Sequence, residues 1–116
     1  MQREAGMGDE GLEMPQGALE LLILRALATG PRHGWAITER IQQVSDNALQ
    51  IKQGSLYPAL HRMERQKLLK SFWGASESNR RAKYYELTRA GRARLATGTA
   101  AWHRLVGAVG QVLEEA

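Results

Sequence analysis

Apolar residues recur every three or four positions near the start of the chain, a spacing that predicts an amphipathic helix. This first helix is expected from Gly17 to Ala28, where Gly30-Pro31 ends it. Its core stripe comprises Leu19, Leu22, Ile23, Ala26 and Leu27. Leu21 and Leu24 lie off that stripe. The helix is therefore expected to pack on a second partner, either another helix of the same chain or another subunit.

The next two apolar patterns predict a second helix from Gly34 to Asp46 and a third from Gly54 to Arg65, joined by a turn and a short extended link. The third helix has an apolar stripe formed by Leu56, Ala59, Leu60 and Met63. Its other face carries hydroxyl, imidazole and guanidinium groups, and Pro58 is tolerated there because it falls near the first turn. For this stretch alone, an ordinary helix with a solvated basic face is the commoner interpretation. The order of the three helices favours a helix-turn-helix unit.

A β-hairpin is predicted after the third helix because aromatic and polar residues alternate there. Its strands are Leu68–Trp73 and Arg81–Leu87, and residues 74–80 have turn chemistry. The side chains expected to point inward are Leu69, Ser71, Trp73, Tyr85 and Leu87. The tip is expected to carry three basic residues, Arg80, Arg81 and Lys83. A basic hairpin at this place resembles a wing that reaches phosphates or a minor groove.

A long fourth helix is predicted from Arg89 to Leu113, with Thr88 as its N-cap and Gly91 where a capping box would have Glu or Gln. Its apolar positions alternate in steps of four and three residues, which makes a heptad seam. The seam comprises Leu95, Thr99, Trp102, Val106, Val109 and Leu113, widened by Leu105 and Val112. Such a helix is about 37 Å long. Because this is longer than the rest of the domain is wide, a second copy of the chain is favoured as its partner over the first helix of the same chain.

Charge is distributed unevenly along the 116 residues, whose net charge is +4. Residues 1–14 hold one Arg against four Asp or Glu, whereas residues 52–94 hold eleven Lys or Arg against three Glu. Basic charge concentrated in one segment indicates a polyanionic partner, most often nucleic acid.

Several classes of function are disfavoured by composition. The chain has no cysteine, so it has no disulfide and no thiolate chemistry, and its three histidines are scattered. No carboxylate pair has a spacing typical of acid–base catalysis. We therefore expect a protein that is not an enzyme and needs no metal or cofactor. Residues 1–14 lack the apolar core of a signal peptide or anchor, so a cytoplasmic protein without a membrane partner is expected.

Four segments together resemble the PadR family of bacterial transcriptional regulators. They are LELLILRAL (Leu19–Leu27), GPRHGWAI (Gly30–Ile37), QGSLYPALHRMERQKLL (Gln53–Leu69) and RRAKYYELTRAGR (Arg80–Arg92). The resemblance covers residues 17–113 and implies a winged helix-turn-helix dimer that represses transcription from operator DNA. It also implies dimerisation through the C-terminal helix, with help from the first helix. The fourth helix is short, as in the compact subfamily.

The resemblance places the recognition helix at Gly54–Gln66, and Tyr57 matches the family's phosphate-contacting tyrosine. From chemistry, Arg62 or His61 suits guanine N7 or O6, whereas Ser55 and Tyr57 suit phosphate oxygens. The candidate DNA contacts are Lys52, Gln53, Ser55, Tyr57, Pro58, His61, Arg62, Arg80, Arg81 and Lys83. The candidate dimer contacts are Leu19, Leu95, Trp102, Leu105, Val106, Val109 and Leu113.

The expected fold is mainly α with a small β-hairpin. Residues 1–16 form a flexible extension, residues 17–87 a winged helix-turn-helix domain and residues 88–116 a dimerisation helix. The expected function is a homodimeric repressor of a palindromic operator in double-stranded DNA. Two alternatives stay open. One is a sensor whose pocket at the dimer interface, lined by Trp102 and Trp35, takes a small aromatic effector. The other is a winged-helix module that binds proteins.

Overall fold

The computed structural model describes Met14 and residues 16–115. The elements in chain order are α1 (Gln16–Ala26), β1 (Arg32–His33), α2 (Gly34–Val44), α3 (Gln53–Arg65), β2 (Leu69–Ala75), β3 (Arg81–Leu87) and α4 (Arg89–Leu113). This order confirms the predicted fold class, mainly α with a small antiparallel sheet. The expected flexible extension lies outside the described residues, except for Met14 and for Gln16, which begins α1. The domain boundaries stay a prediction.

One apolar core lies between α1, α2, α3 and the base of the hairpin. The side chains of the predicted α3 stripe are each at most 1% exposed, which confirms that stripe. The core comprises Leu19, Ile23, Leu24, Ala26, Leu27, Ile37, Ile41, Leu56, Ala59, Leu60, Met63, Leu68, Leu69, Tyr85 and Leu87. Each large side chain buried there stabilises the fold by about 1.5–3 kcal/mol. The core therefore holds α3 by one face and leaves the other face outside.

Two helices end earlier than the sequence predicted. The first ends at Ala26, and the guanidinium of Arg32 donates from Nε to the Ala26 carbonyl at 2.9 Å, so a side chain from β1 completes the helix end. The second ends at Val44, because Asp46 and Asn47 have φ angles of 55° and 68°. Those left-handed conformations cannot continue a right-handed helix.

The sheet contains a strand that the sequence did not predict. The two residues of β1 pair antiparallel with β3, with Arg32 opposite Tyr85, and the strand order is β1-β3-β2. Two residues are too few to show the alternation that identifies a strand. This pairing places the beginning of α2 directly beside the hairpin.

The inward orientation predicted for the hairpin is only partly right. Leu69, Tyr85 and Leu87 are buried, and Ser71 is half-buried. Trp73, in contrast, is 57% exposed, so that part of the prediction was wrong. The hairpin extends beyond the end of the core at this point, and Trp73 instead stacks under the guanidinium of Arg81, 4.4 Å from the ring centroid.

The start of α4 is joined tightly to the base of the hairpin. As predicted, Thr88 is the N-cap, and its hydroxyl accepts from the Gly91 N–H at 3.0 Å while donating to the Lys67 carbonyl at 2.7 Å. Gly91 is buried, and a Cβ there would overlap the carbonyl oxygen of Leu68. The Glu or Gln of a full capping box is absent because no side chain fits at this position.

The partner expected for the off-stripe residues of α1 is α4 of the same chain. A Cβ on Gly98 would lie 3.0 Å from Cδ1 of Leu21, which shows how closely the two helices approach. Leu95 also packs against the core. Farther along α4, the large apolar side chains from Trp102 to Leu113 are exposed. The alternative that α4 packs on the first helix of the same chain therefore holds for its first half, and a second copy as the partner of its second half stays a prediction.

Candidate nucleic-acid interface

The outer face of α3 presents most of the side chains that the sequence selected for DNA contact. Lys52 occupies the N-cap position without a side-chain capping bond. The exposed residues at this face are Lys52, Gln53, Ser55, Tyr57, Pro58 and His61. A helix held by its apolar stripe and exposing this face has the shape that enters a major groove.

Pro58 lies deeper in α3 than predicted. The helix begins at Gln53, so Pro58 is its sixth residue rather than part of the first turn. Its ring removes the N–H that would bond to the carbonyl of Gly54. Gly54 is exposed, so water can bond to that carbonyl and the cost of the missing bond is reduced.

Tyr57 is positioned by the glycine that begins α2. Its side chain is 38% exposed and its ring lies over Gly34, where a Cβ would stand 2.6 Å from the phenol oxygen and 2.9 Å from the ring. The missing side chain at Gly34 therefore sets where the hydroxyl lies. That place is beside the N-terminus of α2, whose helix dipole favours an anion such as a phosphate.

Replacing Gly34 with Ala is expected to displace Tyr57 and to leave the fold intact, because the ring is the end of a side chain at an exposed edge. We expect the affinity for duplex DNA to fall about tenfold, the size of one lost hydrogen bond to a charged group. Fluorescence anisotropy with a labelled duplex measures the loss, and thermal unfolding checks the fold. In a double variant, Gly34→Ala should cause no loss of affinity beyond that caused by Tyr57→Ala alone. Additive losses would show that Gly34 acts by some route other than Tyr57.

The wing tip is a compact turn that exposes two arginines. The loop from Ser76 to Arg80 is closed by the Ser76 N–H donating to the Arg80 carbonyl at 2.8 Å, and Asn79 has a φ of 62° that suits its side chain. Arg80 and Arg81 are exposed, as the sequence predicted.

Lys83 lies in β3 rather than at the tip. Its ammonium is 3.6 Å from Oε1 of Glu64 on α3, and the Ser71 hydroxyl donates to Oε2 of the same carboxylate at 2.6 Å. Glu64 therefore joins both strands of the hairpin to α3. A part of the charge of Lys83 is neutralised there, and its contact with DNA stays a prediction.

His33 joins α2 to the wing. Its Nδ1 accepts from the Ala36 N–H at 3.2 Å, so the neutral ring carries its proton on Nε2 and donates to Oε1 of Glu77 at 3.0 Å. His33 is thus the N-cap residue of α2. The hydrogen bond from His33 holds the pKa of the Glu77 carboxyl below its usual value. A hydrogen bond from the backbone of Glu77 itself acts in the same direction.

A groove of about 790 Å³ separates α3 from the wing and brings the predicted residues together. Tyr57 and His61 line it from the helix, and Arg80 and Arg81 line it from the wing. Trp35, which the sequence assigned to a ligand pocket, also lines this groove and is 60% exposed. Glu39 and Glu77 supply two carboxylates there. The groove thus carries both cationic and acidic side chains between aromatic walls, and its cations are concentrated on the wing.

Arg62 occupies a different place from its neighbours on α3. Its Nε donates to Oε2 of Glu20 on α1 at 3.0 Å, and the two side chains are only 28% and 20% exposed. Base readout by Arg62 would first have to break this ion pair. The sequence could not reveal it, because the two residues are 42 positions apart. Of the two candidates for guanine, His61 is the one on the exposed face.

The candidate dimer residues divide into two groups. Leu19 is 7% exposed and lies in the core of its own chain, so it has little surface to offer a partner, which counts against its predicted role. Leu95 is half-buried. The exposed members are Trp102, Leu105, Val106, Val109 and Leu113. A row of large apolar side chains on an exposed helix is typical of a protein interface.

The two tryptophans proposed for one pocket line different cavities within a chain. Trp102 lines a cavity of about 300 Å³ between α1 and α4, together with Leu21, Leu24 and Leu105. Trp35 lies in the groove between α3 and the wing. The two tryptophans therefore share neither of these two cavities within one chain.

Two further observations concern the described part of the chain only. Across Met14 and residues 16–115, no helix is long and apolar enough to cross a membrane. Within the same residues, no group of three or more His, Asp or Glu side chains is arranged to hold a metal ion.

Three helices followed by a basic hairpin define a winged helix-turn-helix protein. The model of the transcriptional regulator PadR-like family matches residues 23–97, and the chain belongs to that family. It is 30% identical over 87 residues to an uncharacterised protein of Lysinibacillus sphaericus, covering 75% of this chain and 80% of that one. It is also 41% identical over 90 residues to an uncharacterised 37.1 kDa protein in a Streptomyces fradiae transposon, of which it spans 24%.

Solved structures agree with this assignment. A PadR family transcriptional regulator from Eggerthella lenta is 35% identical, with a TM-score of 0.73 over 87% of this chain and 86% of that one. A PadR-like transcriptional regulator from Bacillus cereus is 26% identical, with a TM-score of 0.74 over 87% of this chain and 96% of that one. Both the fold and the family are therefore those of transcriptional regulators.

Proposed function

We propose that this protein is a DNA-binding repressor that acts in the cytoplasm as a homodimer on a palindromic operator, and that it performs no catalysis. The observation that carries the proposal is the groove in which Tyr57 and His61 of α3 face Arg80 and Arg81 of the wing. Repression follows from occupancy, because a dimer bound at an operator excludes other proteins from the same DNA.

Each part of the surface formed by α3 and the wing has a distinct task in this proposal. His61 and Pro58 on the exposed face of α3 reach base edges in the major groove. Tyr57, Ser55 and Lys52 bind phosphates, which fix the register of the helix. Arg80 and Arg81 bind the backbone or the minor groove on the other side of the same phosphate strand.

The homodimer is supported by the exposed half of α4. Val106 and Val109 are 49% and 45% exposed on a helix whose first half already packs on α1. Joining two such helices buries these side chains and places two copies of α3 at a fixed separation. A two-fold dimer of this kind fits half-sites about one helical turn apart.

The proposal is tested by selecting duplexes from a random library and weighing the complexes by native mass spectrometry. We expect the selected sequences to share an inverted repeat and to carry two chains per duplex. A selected sequence without two-fold symmetry, or a saturated complex with one chain, would contradict the dimeric arrangement. A library that shows no enrichment at all would contradict specific DNA binding.

A second candidate function, the sensing of a small aromatic effector, is favoured by one observation. The cavity between α1 and α4 is walled by the indole of Trp102 and by leucine side chains, a lining suited to a flat apolar compound.

A single-tryptophan protein tests this candidate. In Trp35→Phe/Trp73→Phe the remaining fluorescence comes from Trp102, and we expect planar aromatic compounds to quench it saturably. The matched protein Trp35→Phe/Trp102→Phe, which retains Trp73, should not be quenched in this way. Equal quenching of both proteins would indicate nonspecific contact and would remove this candidate.

A further inference from the structure

Arg81 and Trp73 form a stacked pair near the tip of the wing. Arg81 belongs to the pair of strand residues nearest the tip, opposite Ala75, and its guanidinium lies 4.4 Å from the centroid of the Trp73 ring. Trp73 pairs with Lys83, so Arg81 is its diagonal neighbour on the same face of the hairpin. That face turns toward α3, because it also carries the buried Tyr85 and both members of the stacked pair line the groove.

The stack leaves the charge and the donors of Arg81 available to a ligand. The five N–H groups of a guanidinium lie in its plane, so a ring below the plane covers one face and blocks no donor. No ion pair within the described part of the chain involves Arg81. Lys83, in contrast, is 3.6 Å from the carboxylate of Glu64. Arg81 is therefore ordered by an aromatic ring without being neutralised by an acid.

The opposite face of the hairpin is stiffened at the same level. The rings of Phe72 and Tyr84 are stacked with centroids 5.5 Å apart and planes 9° apart. The Tyr84 hydroxyl donates to the Ala75 carbonyl at 2.7 Å, and the edge of its ring meets His33, the N-cap of α2, at a centroid distance of 5.4 Å. The ribbon that carries Arg81 is thus tied to the start of α2, which fixes its place relative to the rest of the domain.

We propose that Trp73 positions Arg81 for insertion into the narrow minor groove beside each half-site, and that an A·T-rich flank is therefore preferred. This inference rests on the proposed function and extends it to base pairs outside the half-site. A narrow minor groove has an enhanced negative potential that attracts arginine, and it is typical of A·T-rich segments. The charge of Arg81 there still lies between two phosphate strands and contributes to the salt dependence.

Desolvation favours Arg81 over its neighbour Arg80 for this task. Entering a narrow groove strips water from a guanidinium, and the indole of Trp73 has already replaced water on one face of Arg81. Arg80 is exposed in the tip loop and stacks on no ring of the described residues. Arg80 is therefore assigned to a phosphate on the outside of the duplex, where it keeps most of its water.

The stack is tested first in the free protein by NMR. The ring current of the indole should shift the δ-methylene protons of Arg81 upfield, and the corresponding protons of Arg80 should not shift. Trp73→Ala should remove the upfield shift, and the core should stay folded because Trp73 is 57% exposed. Unshifted Arg81 protons in the unmodified protein would overturn the positioning role of Trp73.

Three duplexes test the reading of the minor groove. They carry the same inverted repeat, selected from the random library, and have flanks of A·T, G·C or inosine·cytosine pairs. An inosine·cytosine pair keeps the major-groove pattern of G·C but lacks the amino group in the minor groove. We expect A·T and inosine·cytosine flanks to bind about fivefold or more tightly than G·C flanks. Equal affinities, or a preference for A·T over both others, would overturn the proposal.

Arg80→Ala and Arg81→Ala are the matched pair, since each removes one charge from the wing. Arg80→Ala should weaken binding to all three duplexes by a similar factor, whereas Arg81→Ala should also abolish the flank preference. Trp73→Ala should reduce the preference about threefold or more, because the side chain of Arg81 must then be ordered on binding. Trp73→Phe retains a ring and should keep most of the preference.

A flank preference that survives Arg81→Ala or Trp73→Ala would overturn the proposal. If the unmodified protein binds none of the duplexes, the proposed function and this inference both fail. If it binds all three without a flank preference, only this inference fails.

Discussion

Gly91→Ala is expected to lower the free energy of unfolding by about 3 kcal/mol or more, the upper range for overpacking a buried position. The new methyl group would overlap the Leu68 carbonyl oxygen, which is backbone and cannot rotate away. That same carbonyl accepts from the Thr88 N–H at 3.1 Å. Relieving the overlap therefore means separating α4 from the base of the hairpin, which breaks the hydrogen bonds of Thr88 together with the contact.

Urea denaturation at a fixed protein concentration measures this loss, and Gly54→Ala is the matched control. A Cβ on Gly54 meets no atom within 4 Å, and Gly54 is also in a helix. The control should be neutral or stabilising, by up to about 1 kcal/mol, because alanine favours the helix. If Gly91→Ala unfolds no more easily than Gly54→Ala, the close packing of α4 on Leu68 is wrong.

Val106→Glu is expected to convert the proposed dimer into monomers. Val106 lies in the middle of the exposed α4 seam, and glutamate keeps the helix because its helix propensity is good. In a two-fold interface each dimer would bury two unpaired carboxylates. Their cost of several kcal/mol should raise the dissociation constant about 1000-fold or more. Affinity for an inverted-repeat duplex should fall as well, since the two copies of α3 no longer act together.

Thr97→Glu is the control for this substitution. Thr97 is nine residues before Val106 on the same helix, half a turn away at 100° per residue, and it is exposed. The same carboxylate placed there should leave the dimer unchanged in analytical ultracentrifugation. A dimer that survives Val106→Glu, or that is lost equally in both variants, would exclude the seam as the interface.

The helices were predictable because their information is local. The stripe of α3 repeats with the helical period, and its four members are all buried in the core. The bounds of α4 agree with the prediction at both ends, because Thr88 caps one end and the apolar seam finishes at Leu113. Periodicity shows which residues share a face of the helix, and the apolar face is the one that the core buries.

The departures come from contacts that no local pattern contains. Trp73 alternates correctly with Leu69 and Ser71, but the core ends before it, so the same periodicity gave a wrong burial. In the sequence, Gly91 only leaves a capping box incomplete. In the fold, the Leu68 carbonyl leaves no room for a side chain at this position. Both outcomes depend on where distant backbone segments lie.

The sequence predicted the residues of the candidate site better than it predicted how the fold arranges them. Residue type selected Tyr57, His61, Arg80 and Arg81, and the fold places all four in one groove. The same reasoning could not foresee that Glu20 would hold Arg62. The basic charge of a side chain is visible in the sequence, but its partner is a property of the fold.

The most direct test of the central claim is the salt dependence of binding to a random duplex. If Lys52, Arg80 and Arg81 of two protomers neutralise phosphates, log K should fall with log salt with a slope of about −5. Arg80→Ala/Arg81→Ala should reduce the slope to about −2. No binding at about 50 mM salt, or a slope near zero, would contradict the claim and would favour the alternative of a winged-helix module that binds proteins.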